Sequence, residues 1–190
     1  VAVTGQIALD AAEFRAMIRD SVRFLPVTAL LALGFLGWLF RRWLAVGAAI
    51  LVFAATIPAS LAVLAAWGQP YTLIHSMVAP LLAGLGVALL IHLFNALAYA
   101  ARRGLTGRER MARALAEVVP PARLTTLTTA AGLASLGLSP IPPVASFGLV
   151  TALGVVALYG VAIHLLPPLL LRWDRRPWPL PAGQRWLEGA

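Results

Sequence analysis

The sequence contains no cysteine and no lysine. Without cysteine, disulfides and thiolate metal sites are excluded. Without lysine, the Gly-rich phosphate loop that ends in Lys cannot be built, which argues against nucleotide hydrolysis. Acids are also scarce, with seven Asp and Glu against fifteen basic residues, all of them Arg. No acid falls within any of the long apolar spans read below. A buried carboxylate is the usual proton relay inside a membrane, because its pKa can move into the working range. The spans themselves therefore supply no such relay. No nucleophile–base–acid set is visible, so no enzymatic activity is expected. Two histidines on separate helices without a third ligand make no metal site, and no cofactor is expected.

What the chain does have is apolar surface. Hydrophobic residues make up 61% of its 190 positions, and the mean hydropathy is +0.87. Soluble domains stay near one half. Several runs reach the threshold of about 18 apolar residues for crossing a bilayer. The expected class is an all-α polytopic membrane protein, with five transmembrane helices and short amphipathic surface helices. A net charge of +8 is compatible with a nucleic-acid partner. The arginines sit at the ends of apolar runs, however, so membrane topology accounts for them and no nucleic acid is expected. Membrane lipids are the expected partners.

The organising stretch is residues 71–101, which carries no formal charge. As a helix it is longer than the roughly 30 Å hydrocarbon core. It holds His75, Pro80, Gly84, Gly86, His92 and Asn95. Before it, residues 1–9 read as the tail of an extracytoplasmic domain, and the opening at Val1 as the continuation of a longer polypeptide. Residues 10–23 read as an amphipathic lead-in helix. Asp10 and Glu13 form a capping box, Phe14, Met17, Ile18 and Val22 share one face, and Arg15, Arg19 and Arg23 lie away from it. Spans are expected at about 24–40 and 44–67, joined by a short turn at Arg41-Arg42. Trp38, Trp43 and Trp67 stand near span ends as interfacial anchors. Gly68-Gln69-Pro70 is a turn into the long third span.

Residues 105–119 differ in kind. Thr106 and Glu109 suggest a capping box, and Met111, Ala114, Leu115 and Val118 form an apolar stripe. Opposite it lie Arg108, Glu109, Arg110, Arg113 and Glu117. The expectation is a helix lying on the membrane surface, ended by Pro120-Pro121. A fourth span at about 122–138 is rich in Thr, Ala and Gly, which allow close helix approach. A turn at 139–143 leads to a fifth span at about 144–171, followed by a tail at 172–190. Five spans put the termini on opposite sides. Most arginines then share one side, which the positive-inside rule makes cytoplasmic. The expected location is the bacterial cytoplasmic (inner) membrane, with an extracytoplasmic N-terminus and a cytoplasmic C-terminus.

The order of these parts resembles one half of the membrane domain of the RND superfamily, in its MMPL-like branch, and also the related sterol-sensing-type bundles. A family motif of the form G-x-G-V-D-Y-x-I-H-L is similar to Gly84-Leu85-Gly86-Val87-Ala88-Leu89-Leu90-Ile91-His92-Leu93. A second, P-x-x-x-T-T-L-T-T-x-x-G, is similar to the run from Pro121 to Gly132. Phe147-Gly148 matches the F-G that opens the last helix. The resemblance implies that the five spans are helices two to six of a half. A first helix and a large outer domain would precede Val1. It also implies a second RND-like half and proton-coupled export of a lipid or other hydrophobic substrate. The family's proton-carrying Asp falls at Ala88 and its Tyr partner at Leu89. Any proton coupling would then rest on carboxylates of the other half.

The candidate polar core is His92, Asn95, Thr125, Thr126, Thr128 and Thr129. Histidine is a side chain that readily relays protons, which makes His92 a possible relay, with Asn95 almost one turn on. Bonding to neighbouring helices is the alternative. The threonines can line a water or proton path, or bond back to their own helix. Gly84, Gly86, Gly132 and Gly148 are candidates for gating or for helix packing. His75 is expected at the outer interface, in contact with solvent or headgroups. His164 has no supporting motif. Two other functions stay open beside transport: a lipid-responsive regulatory or scaffold bundle, and an inactive helical core. A carboxylate pair in the partner half would favour transport.

Overall fold

The computed structural model describes Arg15, Arg19, Arg23 and residues 26–173. The secondary structure among these residues is entirely helical, as the apolar periodicity requires. Residues 1–9, the tail beyond Trp173 and most of the lead-in helix lie outside the described residues. Arg15, Arg19 and Arg23 are helical and exposed.

Helix α1 is described over Pro26–Phe40, and Arg23 shortly before it is helical too. The chain reverses through Arg41, whose φ of 49° is left-handed, with its N–H donating to the Gly37 carbonyl at 2.8 Å. Helix α2 covers Trp43–Ala66. A left-handed Gly68 breaks it, and a 3-10 turn at Leu73–Met77 leads into α3, Val78–Arg102. Helix α4 is Gly107–Ser135, and a 3-10 turn at Leu136–Leu138 follows it. Helix α5, Pro142–Gly160, takes both prolines into its first turn. A π-helical turn at Val161–Leu165 joins it to α6, Leu166–Trp173. That wide turn sits just before Pro167 and Pro168, which cannot donate to the ladder.

Among the described residues, three helical stretches are long and apolar enough to cross a membrane: Trp43–Ala66, Leu73–Arg102 and Pro142–Trp173. The second, at 30 residues, is roughly 45 Å long. α1 is apolar but shorter. The surface helix and fourth span expected at 105–119 and 122–138 are one helix, α4, running through Pro120 and Pro121. The prolines cost the hydrogen bonds to the Ala116 and Glu117 carbonyls. Packing holds the helix together across them: Val118 is buried on one side and Ala122 packs on the core on the other. The apolar stripe of its first half packs into the bundle. Met111, Ala114 and Val118 are buried against α3, and Arg110, expected opposite that stripe, is buried with them. Thr106 is the N-cap, but its side chain makes no capping hydrogen bond.

Two apolar clusters fix the topology. One joins Leu36 and Phe40 of α1, Ala45 to Val52 of α2, the second half of α3, the first half of α4, and α6. In it Phe40 and Phe94 meet edge to face at 5.3 Å. The other joins Val78 and Leu82 of α3, Val155 of α5, and flanking Ile57, Leu61, Leu133 and Phe147. Successive long helices therefore alternate in direction. Arg41, Arg42, Arg102, Arg103, Arg108 and Arg172 collect at one end. α5 contacts α2, α3 and α4, and so shares the central place expected of α3 alone.

Candidate functional site

Helices α3, α4 and α5 border a partly open cavity of about 400 Å³. Its α3 wall is Leu85, Ala88, Leu89, His92, Asn95 and Tyr99. These recur every three or four residues, so one face of the helix builds the wall. α4 contributes Glu117, Pro121, Thr125, Thr126 and Thr129, again at helical spacing, and α5 contributes Val155, Leu158 and Tyr159. Small side chains on the facing walls, Ala88 and Ala96 opposite Ala122 and the threonines, leave the space. The lining is mostly apolar, with a few hydroxyl, amide and imidazole groups, the make-up typical of a site for a small hydrophobic molecule.

His92, Asn95, Thr125, Thr126 and Thr129 thus come together around one space, as do Ala88 and Leu89, the positions where the resemblance places Asp and Tyr. His92 is exposed, and the Asn95 Oδ1 is buried with no hydrogen-bond partner among the described residues. Thr128 faces elsewhere and bonds back to the Leu124 and Thr125 carbonyls at 3.1 and 3.0 Å.

The four glycines divide. A Cβ at Gly86 would collide with the Phe53 ring, and one at Gly148 would lie 2.5 Å from the Leu133 carbonyl oxygen and the Leu136 Cβ. Both mark close helix packing. Gly84 and Gly132 have open space around the Cβ position and serve no such contact.

His75 is the clearest departure from expectation. It is buried, 1% exposed, rather than solvated. Its Nδ1 accepts the Thr72 N–H at 3.1 Å and lies 2.8 Å from Thr72 Oγ1. Its Nε2 lies 3.1 Å from Ser146 Oγ, which in turn donates to the Pro142 carbonyl. Nδ1 is thereby the acceptor, Nε2 carries the proton, and the ring ties the start of α3 to the start of α5. His164 stands exposed in the π-helical turn, edge to face with Tyr159 at 6.5 Å.

Sequence reasoning missed Tyr99, Tyr159 and Glu117. Glu117 matters most, because it places a carboxylate on the cavity of a half expected to offer none. Its signal was the spacing of Glu117, Pro121, Thr125 and Thr129, one residue every four through the proline pair. Among the described residues no group of three potential metal ligands occurs.

These features define a helical membrane bundle with a cavity between three of its helices. A profile of the sterol-sensing domain of SREBP cleavage-activation matches residues 40–177. That match covers most of the chain and every cavity residue, and the chain belongs to this family. It is also 32% identical over 111 residues to MJ1562 of Methanocaldococcus jannaschii, a protein whose designation goes no further than membrane protein. The aligned region is 58% of this chain and 29% of that protein.

Proposed function

We propose that the chain is the membrane-domain half of an RND/MMPL-like transporter that exports a lipid or other hydrophobic molecule, which contacts the cavity between α3, α4 and α5. The cavity carries this reading. It is mostly apolar, it is bounded by the helices that bear the transporter-like motifs, and the proton-relay position of those motifs, Ala88, lies on its wall. With alanine there, proton coupling falls to carboxylates of a second half. Glu117 is the carboxylate of this chain nearest that task. The arginine-rich end faces the cytoplasm under the positive-inside rule.

The family match supports a second reading, a lipid-responsive regulatory or scaffold bundle that binds without transport. Both readings place a lipid or other hydrophobic molecule in the cavity, and they part on whether it moves.

The test is lipid profiling by mass spectrometry of the gently purified intact protein against its source membrane, beside an Ala88→Phe variant that fills the cavity. One lipid class should be enriched in the wild type and depleted in the variant. A profile equal to bulk membrane in both would sink regulation by lipid and lipid export alike, and leave export of a smaller hydrophobic molecule. Reconstitution with and without a pH gradient then separates them. Lipid transfer that responds to the gradient and falls in His92→Ala, at unchanged folded yield, supports transport. Binding without transfer supports regulation.

A further inference from the structure

A second cavity of about 200 Å³ lies at the arginine-rich end of the bundle. Tyr99, Ala100 and Arg103 line it from the end of α3, and Arg113 and Glu117 from the first half of α4. Tyr99 and Glu117 also line the larger cavity. The two spaces therefore adjoin across this pair of side chains. One is mostly apolar. The other presents two guanidinium groups and one carboxylate, a formal excess of one positive charge.

Arg103 caps the long apolar helix α3, so this smaller space sits where an apolar span gives way to charge. That is the depth of lipid headgroups. Guanidinium groups bind phosphate and carboxylate oxygens with paired, charge-assisted hydrogen bonds. An apolar chamber opening onto a cationic one has the polarity profile of an anionic amphiphile. A neutral sterol would leave the arginines unused, and a free anion would leave the larger chamber unused.

We propose that the two cavities form one site for an anionic amphiphile. Arg103 and Arg113 hold its phosphate or carboxylate head, and its apolar chain enters the space between α3, α4 and α5. Glu117 stands at the junction and opposes the head's charge, which limits the affinity. The proposal rests on the larger cavity being a lipid site, and adds the charge and orientation of the lipid.

The test measures binding of three probes to the intact protein in non-ionic detergent by native mass spectrometry. They are a phosphatidylglycerol, a phosphatidylcholine with the same acyl chains, and the matching uncharged diacylglycerol. The anionic lipid should bind about tenfold tighter than the zwitterionic one. Arg103→Gln with Arg113→Gln should abolish that preference and leave diacylglycerol binding unchanged, which also reports that the variant is folded. Glu117→Gln should strengthen phosphatidylglycerol binding several-fold, a direction that damage to the fold would not produce. Equal binding of the two phospholipids, or a preference that survives the double substitution, overturns the proposal. Inorganic phosphate that binds alone and erases the preference would assign the arginines to a free anion and overturn it as well. Ala88→Phe should weaken all three lipids. If diacylglycerol ignores Ala88→Phe, the larger cavity is not the lipid site, and that failure is distinct from loss of headgroup preference.

Discussion

Gly132 and Gly148 look alike in the sequence, both lying in helical, apolar-rich stretches, and they do opposite things. At Gly148 α5 comes so close to α4 that an added Cβ would meet the Leu133 carbonyl oxygen, a backbone atom that cannot swing aside. At Gly132 the same atom meets nothing within 4 Å. Gly148→Ala should therefore destabilise the bundle by about 1–3 kcal/mol, the usual cost of overpacking. Gly132→Ala should be neutral or stabilise by up to about 1 kcal/mol, from reduced unfolded-state entropy in a helix. Thermal unfolding of the two variants in the same detergent checks this, and equal shifts would contradict it. Nothing local separates the two glycines. The difference lies in which neighbouring helix passes by, which a single sequence does not encode. His75 makes the same point: its position near a span end suggested an exposed ring. Its burial follows from a fold-level partner, Ser146, 71 positions away.

Helix α4 shows how a local rule yields to packing. Pro120-Pro121 is a strong stop signal for an isolated helix, and the reading of a surface helix followed by a separate span depends on it. In the bundle, Met111, Ala114 and Val118 pack against the core on one side of the prolines, and Ala122 does so on the other. The helix stays continuous through the interruption, with contacts on both sides of it. The apolar stripe was legible in the sequence, and so were the turns at Arg41-Arg42 and Gly68. What the stripe faced was not, since a membrane surface and a neighbouring helix both accept an apolar face. Ala114 discriminates between them because it is fully buried. Ala114→Leu should cost about 1–3 kcal/mol if the first half of α4 packs on the bundle. On a membrane surface the larger apolar side chain would be tolerated or would bind the interface better. A thermal shift in detergent distinguishes the two, and an unchanged or raised unfolding temperature would count against that packing.

For the molecule as a whole, alternating helix direction gathers Arg41, Arg42, Arg102, Arg103, Arg108 and Arg172 at one end and leaves a cavity among the three helices α3, α4 and α5. Much of that cavity was legible. His92 and Asn95 stood out as polar residues in an apolar span, and the threonines stood out by number. Glu117 did not, because it was assigned to another element. The smaller cationic cavity was also out of reach, since Arg103 and Arg113 come together only when α3 and α4 pack. The central claim is that this space holds lipid, whether to move it or to respond to it. Its most direct test is photocrosslinking of the intact protein in native membranes with a lipid carrying a photoactivatable group in its apolar chain. Peptide mapping then locates the adducts. The account predicts adducts concentrated on the α3 segment from Ala88 to Tyr99 and on Thr125, Thr126 and Thr129, and their loss in Ala88→Phe. Adducts spread instead over exposed apolar residues such as Leu30, Leu31, Leu124 and Leu127, with no response to Ala88→Phe, would contradict it.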